Sequence, residues 1–209
     1  MELFIVRHGI TGHNARLAHQ RHHTPLSPKG EAQALALAAA LSTHGITRIE
    51  TSTATRAMQT ATIVAKALGV PLSCHEDLRE ERRPSVLADL SYFHPRSLYI
   101  ASLLFLLGAS RAHHSDEENP YEFRARTTEA LARIHAGAAP QERLLIIAHN
   151  AIILEMADVL KGNRFVPFFR RPLAVIAELA HCAGFHATST TEGKWRVERF
   201  TPIRKSFFS

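Results

Sequence analysis

Two short runs, ELFIVRHG at residues 2–9 and RLLIIAHN at 143–150, constrain this chain more than anything else in it. Each is apolar at almost every consecutive position, and each stops abruptly at a histidine. A strand with one wet face alternates apolar and polar residues; a run without alternation fits a strand buried on both faces, as in a parallel sheet covered by helices on either side. The segments between support that setting. EAQALALAAALSTHG (31–45) is rich in alanine and leucine and ends in a glycine suited to a helix stop. ITRIETS (46–52) is a short strand, and TRAMQTATIVAKALG (55–69) is a helix whose Met58, Ile63, Val64 and Leu68 recur near helical spacing, closed by Gly69 and Pro71. Further on, HPRSLYIASLLFLLGASRAHHSDEENP (94–120) predicts an apolar helix and a polar loop. YEFRARTTEALARIHAG (121–137) and AIILEMADVLKG (151–162) predict helices, and LAVIAELA (173–180) and KWRVERF (194–200) predict strands. Strands alternating with helices make this an α/β protein. The expected architecture is a three-layer sandwich around a mostly parallel central sheet, one domain over residues 1–209, with a helical insert or lid at about 84–137.

The chain carries a net charge of +6, so its overall field favours anionic partners or substrates. The basic residues are interrupted by acids, as in DLREERRPS, rather than gathered in a stripe, so nucleic acid is not an expected partner. KGNRFVPFFRRP (161–172) is a small basic, aromatic patch that reads more simply as a loop with buried phenylalanines. The longest apolar stretch, YIASLLFLLGA, is too short to cross a bilayer as a helix, so no membrane association is expected. Cys74 and Cys182 stand far apart and in no metal-ligand spacing, which fits free thiols in a reducing compartment and a cytoplasmic location. A homodimer is compatible with the chain.

Ligands in open α/β sheets bind beyond the carboxyl ends of the strands. Three predicted strands are followed at once by groups that suit an anion: Arg7 and His8, then Arg56, then His149. If these strands are parallel neighbours, two arginines and two histidines face one ligand. Phosphoryl transfer needs such a set. Planar guanidinium groups grip phosphate oxygens in pairs and stay charged, so Arg7 and Arg56 could hold the transferring group. A neutral imidazole is a good nucleophile near neutral pH, so His8 could form a phosphohistidine while His149 donates to the phosphoryl oxygens. Helix starts after Thr53 or Thr55 and after Asn150 could add backbone N–H groups. An alkoxide leaving group needs a proton, and DLREERRP offers Asp77, Glu80 and Glu81; spacing does not choose among them.

LFIVRHGITGHN resembles the signature of the histidine phosphatase superfamily, the group of cofactor-dependent phosphoglycerate mutases and many small-molecule phosphatases. TPLSPKGEAQA, TSTATRAMQTA, LRE and LLIIAHN follow in that family's order, so the resemblance runs from residue 3 to about residue 160. It implies His8 as the nucleophile, Arg7, Arg56 and His149 around the phosphate, Asn14 as a further phosphate-pocket residue, and Glu80 as the proton donor. It implies a phosphohistidine that is hydrolysed by water, or returned to a sugar-acid hydroxyl in mutases, with no metal required; no cofactor is expected for this chain. Two departures stand out: His23 lies near where the family usually has an acid before the PLS element, and Asn150 replaces the glycine that generally follows the second histidine. Asparagine tolerates left-handed backbone, which would keep the turn.

The expected function is therefore a phosphomonoesterase for a small phosphorylated metabolite. A phosphoglycerate mutase-like phosphotransferase and a noncatalytic phosphate-binding scaffold are the alternatives. The apolar stretch in the middle of the chain favours the phosphatase over a mutase. A metal-dependent hydrolase built on His19, His22 and His23 lacks a recognisable ligand spacing.

Overall fold

The computed structural model describes residues 1–107, 113, 115–139, 141–164, 180–190 and 193–203. The described elements run β1 (Glu2–Arg7), α1 (Gly12–Ala15), α2 (Pro28–Leu41), β2 (Arg48–Ser52), α3 (Thr55–Leu68), β3 (Leu72–His75), α4 (Pro95–Leu107), α5 (Pro120–Ala136), β4 (Arg143–Ala148), α6 (Asn150–Leu160), β5 (Gly184–Ser189) and β6 (Trp195–Phe200). Short 3-10 turns at Glu76–Leu78 and Ser85–Leu87 lie between β3 and α4.

The strands form one sheet in the order β3-β2-β4-β1-β5-β6. β3, β2, β4 and β1 run parallel, β5 is antiparallel to β1, and β6 is antiparallel to β5. The two runs read as buried strands are the adjacent β4 and β1 at its centre. Their consecutive apolar residues divide between two cores, as the alternation of side chains about a strand requires. Leu3, Ile5, Leu144 and Ile146 pack with Phe123, Ile134, Ile152 and Met156 of α5 and α6. Phe4, Val6, Leu145 and Ile147 pack on the opposite face with Leu37, Leu41 and Val64 of α2 and α3. That is the expected three-layer arrangement.

Local chemistry sets the helix ends. Ser27 accepts a bond from Gly30 N–H and Pro28 opens α2, so this helix begins three residues before the sequence pattern suggests. Gly69, at φ 68°, closes α3. The buried face of α3 differs from the sequence reading: Arg56, Ala57, Thr60, Ala61, Val64 and Ala65 face inward, so of the four apolar residues singled out only Val64 is fully buried. Small residues let this helix lie close to its neighbours. Asn119 and Glu122 form a capping box at the start of α5.

β3 and β5 have no counterpart among the strands the sequence pattern predicts. The expected strand at 173–180 and most of the basic patch at 161–172 lie outside the described residues, where only Ala180 and Lys161 to Arg164 are described. No helix among the described residues is long and apolar enough to cross a membrane.

Candidate active site

β1 delivers its histidine to a loop with little freedom. His8 N–H extends the ladder to the Ala148 carbonyl at 3.0 Å, Gly9 N–H donates to Thr60 Oγ1 at 3.1 Å, and Ile10 N–H donates to Gln33 Oε1 at 2.9 Å. Gly9 and Gly30 touch backbone to backbone: a Cβ on Gly9 would stand 2.5 Å from the Gly30 carbonyl, and one on Gly30 would stand 2.1 Å from the Ile10 carbonyl. This contact accounts for both glycines flanking the first motif's loop.

His8 is almost fully buried. Its Nδ1–H donates to the Gly9 carbonyl at 2.7 Å, which assigns the ring's lone pair to Nε2. Arg56 Nε–H points at that Nε2 from 3.2 Å. Arg56 sits in the first turn of α3, and its other guanidinium nitrogens donate to the Arg21 carbonyl at 3.0 Å and to His149 Nδ1 at 3.2 Å. The opposite nitrogen of His149, Nε2, donates to Ser52 Oγ at 2.8 Å. β1, β2, α3 and the start of α6 thus meet around one guanidinium, with the two imidazole centroids 5.1 Å apart.

The electrostatics follow from burial among cations. Desolvation first, then Arg56, His149 and Arg7, hold His8 well below the ordinary imidazole value of 6.5. Burial, Arg56 and Arg7 do the same to His149. Burial also lowers Arg7, and brings Arg56 down to about 10, opposed in both cases by the Glu80 carboxylate. Both guanidiniums remain charged at neutral pH, so the pocket holds neutral imidazoles beside two cations and suits an anion.

The three candidate acids separate clearly. Asp77 is engaged by Arg133 through both carboxylate oxygens, at 2.7 and 3.1 Å. Glu80 Oε1 accepts from Ala151 N–H at 3.0 Å, Ile152 N–H at 3.3 Å and Glu81 N–H at 3.2 Å. It thereby caps α6, whose own N-cap His149 makes no side-chain cap bond, and it is the carboxylate that interacts with both Arg7 and Arg56. Glu81 is pushed up to about 7 by burial, with Glu80, Glu118 and Glu155 adding to the rise and Arg83 opposing it.

Asn14 closes the capping box of α1, its Oδ1 accepting from Thr11 N–H at 3.2 Å and Thr11 Oγ–H at 2.9 Å, both within its own loop. His23 is exposed and rests against the His22 ring. His19 is instead buried against Tyr92, and burial lowers it to about 4. No group of three or more His, Cys, Asp or Glu side chains among the described residues is arranged to hold a metal ion. Asn150 is the first residue of α6 and has no positive φ, so the left-handed geometry expected there is not used.

The sequence reading missed His181. Its Nδ1–H donates to the His8 carbonyl at 3.0 Å, and its ring centroid lies 5.6 Å from that of His8. Burial and Arg7 lower it to about 3. The next residue, Cys182, has φ 59° and donates its N–H to the Arg7 carbonyl at 2.9 Å. The other described non-glycine residues with positive φ, Leu17 and Asp89, lie in two loops joined beside the site: Tyr92 N–H donates to the Leu17 carbonyl, and Asp89 N–H to the His19 carbonyl. Such strained backbone gathers at functional sites. No motif marks His181; only the reversed direction of β5 brings it to this end of the sheet.

Comparison with known proteins bears on family and fold. The model of the histidine phosphatase superfamily (branch 1) matches residues 3–201. A protein of Enterobacter sp. (strain 638) named "Probable phosphoglycerate mutase GpmB" is 31% identical over 173 residues, 78% of this chain and 75% of that protein. Its namesake in Yersinia enterocolitica is 41% identical over 81 residues, and that alignment spans only 38% of either protein. Among solved structures, Bacillus stearothermophilus YhfR superposes with a TM-score of 0.80 at 22% identity, covering 99% of this chain and 98% of that one. A mycobacterial glucosyl-3-phosphoglycerate phosphatase superposes with a TM-score of 0.76 at 22% identity, covering 97% and 99%. At such identities the superpositions establish the shared fold.

Proposed function

The chain belongs to the histidine phosphatase superfamily, branch 1, and from that membership we propose that it is a phosphomonoesterase acting on a small phosphorylated metabolite through a phosphohistidine at His8. The observation that carries this reading is the His8 Nε2 lone pair, held at 3.2 Å from Arg56 in a pocket that Glu80 faces.

The reaction follows from that geometry. A phosphoryl group enters between Arg7 and Arg56, with Asn14 as a further donor. Arg56 exchanges its bonds to the imidazoles for bonds to phosphoryl oxygens, which frees Nε2 to attack phosphorus. His149 accepts from Arg56 at Nδ1 in this state, so it becomes a donor to the phosphoryl group on taking up a proton. The dianion promotes that uptake by offsetting the arginines that hold His149 neutral. As the P–N bond forms and the P–O ester bond breaks, Glu80 gives the departing oxygen a proton that it takes up as the phosphoryl anion enters beside it. Water then attacks the phosphohistidine and gives a proton to the Glu80 carboxylate, releasing phosphate and restoring neutral His8. The 84–137 stretch serves as the insert that reads the rest of the substrate. The free thiols of Cys74 and Cys182 fit work in the cytoplasm.

The test is inorganic phosphate release from a panel of phosphomonoesters, without added metal, from about pH 5 to 8, with His8→Ala as the comparison. Turnover by the native chain and its loss in the variant is the expected result. Equal release by both proteins would overturn His8 as the nucleophile. The names of the curated relatives favour a mutase as the second reading; isomerisation of a phosphoglycerate without net phosphate release would establish it. Phosphate binding without either reaction would make the chain a scaffold.

A further inference from the structure

Arg126 lies on α5 with its side chain mostly covered, and its guanidinium reaches the loop that carries Glu80. Nη1 donates to the Asp77 carbonyl at 2.7 Å and to the Arg79 carbonyl at 3.0 Å, and Nη2 makes a longer contact with the Glu80 carbonyl at 3.5 Å. The other edge of the guanidinium is held by Glu118: Nε and Nη2 each donate to one carboxylate oxygen, both at 2.8 Å. Glu118 is buried, yet the Arg126 bonds outweigh desolvation and hold its carboxyl below the usual range, so the pair is ionic. Glu118 is itself tied to the same loop, its N–H donating to the Arg82 carbonyl at 2.9 Å.

One planar cation therefore gathers carbonyls of residues 77, 79 and 80, a stretch that starts within the 3-10 turn and belongs to no strand. Lysine could not do this, since its ammonium lacks a rigid fork. The loop's position decides where the Glu80 carboxylate stands between the start of α6 and the two site arginines. Proton transfer to a leaving oxygen works only within hydrogen-bond reach, so a small displacement of the loop would disable it.

We propose that Arg126, clamped by Glu118, is a positioning residue that fixes Glu80 as the proton donor to the leaving oxygen. This rests on the phosphatase reading above. A loop staple with no such role would lower the amount of folded protein without changing which substrates the folded fraction prefers.

The experiment compares kcat/KM for an alkyl phosphate, whose alkoxide needs a proton to depart, with p-nitrophenyl phosphate, whose phenolate does not. Both substrates are assayed on the same preparation, so the ratio is insensitive to the folded fraction. Removing a general acid costs on the order of 100-fold where protonation matters. Glu80→Gln should lose about that much on the alkyl ester and under about fivefold on the nitrophenyl ester. Arg126→Ala should show the same selectivity, with about a 10- to 100-fold loss on the alkyl ester, and Arg126→Lys should fall between it and the native chain. The double variant Glu80→Gln with Arg126→Ala should show no further selective loss, as expected for residues acting as a unit. Equal losses on the two esters in Arg126→Ala, or none, would overturn the positioning role while leaving the phosphatase reading intact. Absence of turnover by the native chain, or an unselective Glu80→Gln, would overturn the reading it rests on and the role with it.

Discussion

Acidification should destabilise this protein through its buried histidines. His8, His149, His181 and His19 are all held neutral by burial, the last two down to about 3 and about 4, whereas each takes a proton near 6.5 once the chain unfolds. A folded value below the unfolded one means stability that is present above 6.5 and lost as the pH falls from 6.5 toward the folded value. Glu81 acts in the opposite sense: raised from 4.5 to about 7, it binds its proton more tightly when folded, so it offsets one of the four between those two values. Near pH 5.5 the unfolded chain therefore holds roughly three more protons than the folded one across these five groups. At 1.36 kcal/mol per proton and pH unit, stability should fall by about 4 kcal/mol between pH 6 and pH 5. For a chain of this length that corresponds to a drop in Tm on the order of 10 °C. Thermal or urea unfolding followed from pH 7.5 to pH 5 in a phosphate-free buffer measures it, and His181→Asn should flatten the slope by about one proton. A Tm that stays level between pH 6.5 and 5 would refute the reasoning.

Three further outcomes follow from individual contacts. Ser52→Ala removes the acceptor of the His149 Nε2–H at a fully buried position, which should cost about 2 kcal/mol of stability, read as a Tm lower by roughly 5 °C, together with slower phosphate release. Gly30→Ala drives a Cβ into the Ile10 carbonyl and should destabilise by more than about 3 kcal/mol, whereas Gly12→Ala, with nothing within 4 Å of the new atom, should change stability by less than about 0.5 kcal/mol; parallel unfolding curves check both. Asp77→Asn weakens the pair with Arg133 and should lower stability by about 1 kcal/mol while kcat/KM stays within about twofold, a contrast with Glu80→Gln that the same phosphate assay reads.

What could be read from sequence was set by burial on both faces. β1 and β4 are legible because a strand covered on each side carries apolar residues without a break. β3 is four residues at the sheet edge with two exposed positions, and β5 reads GFHATS, small and partly polar, so neither has a pattern that separates it from a loop. Arg7, His8, Arg56 and His149 could be placed together because strand ends converge in any parallel sheet. Choosing among Asp77, Glu80 and Glu81 could not be done the same way, since Arg133 takes the first from another element and the amides of α6 take the second. His181 and Arg126 are illegible in the sequence for a related reason: each reaches the site through a backbone carbonyl, and carbonyls leave no trace in residue identity.

The place of β1 in the sheet also bears on when His8 is seated during synthesis. β1 precedes both of its neighbours by a long way, since these are residues 143–148 and 184–189. A growing chain carries His8 well before either partner strand exists to seat it, and both ladders must wait for distant sequence, which makes this a late and nonlocal step of folding. An interrupted product that ends before β4 would contain the whole RHG motif and neither strand that seats it.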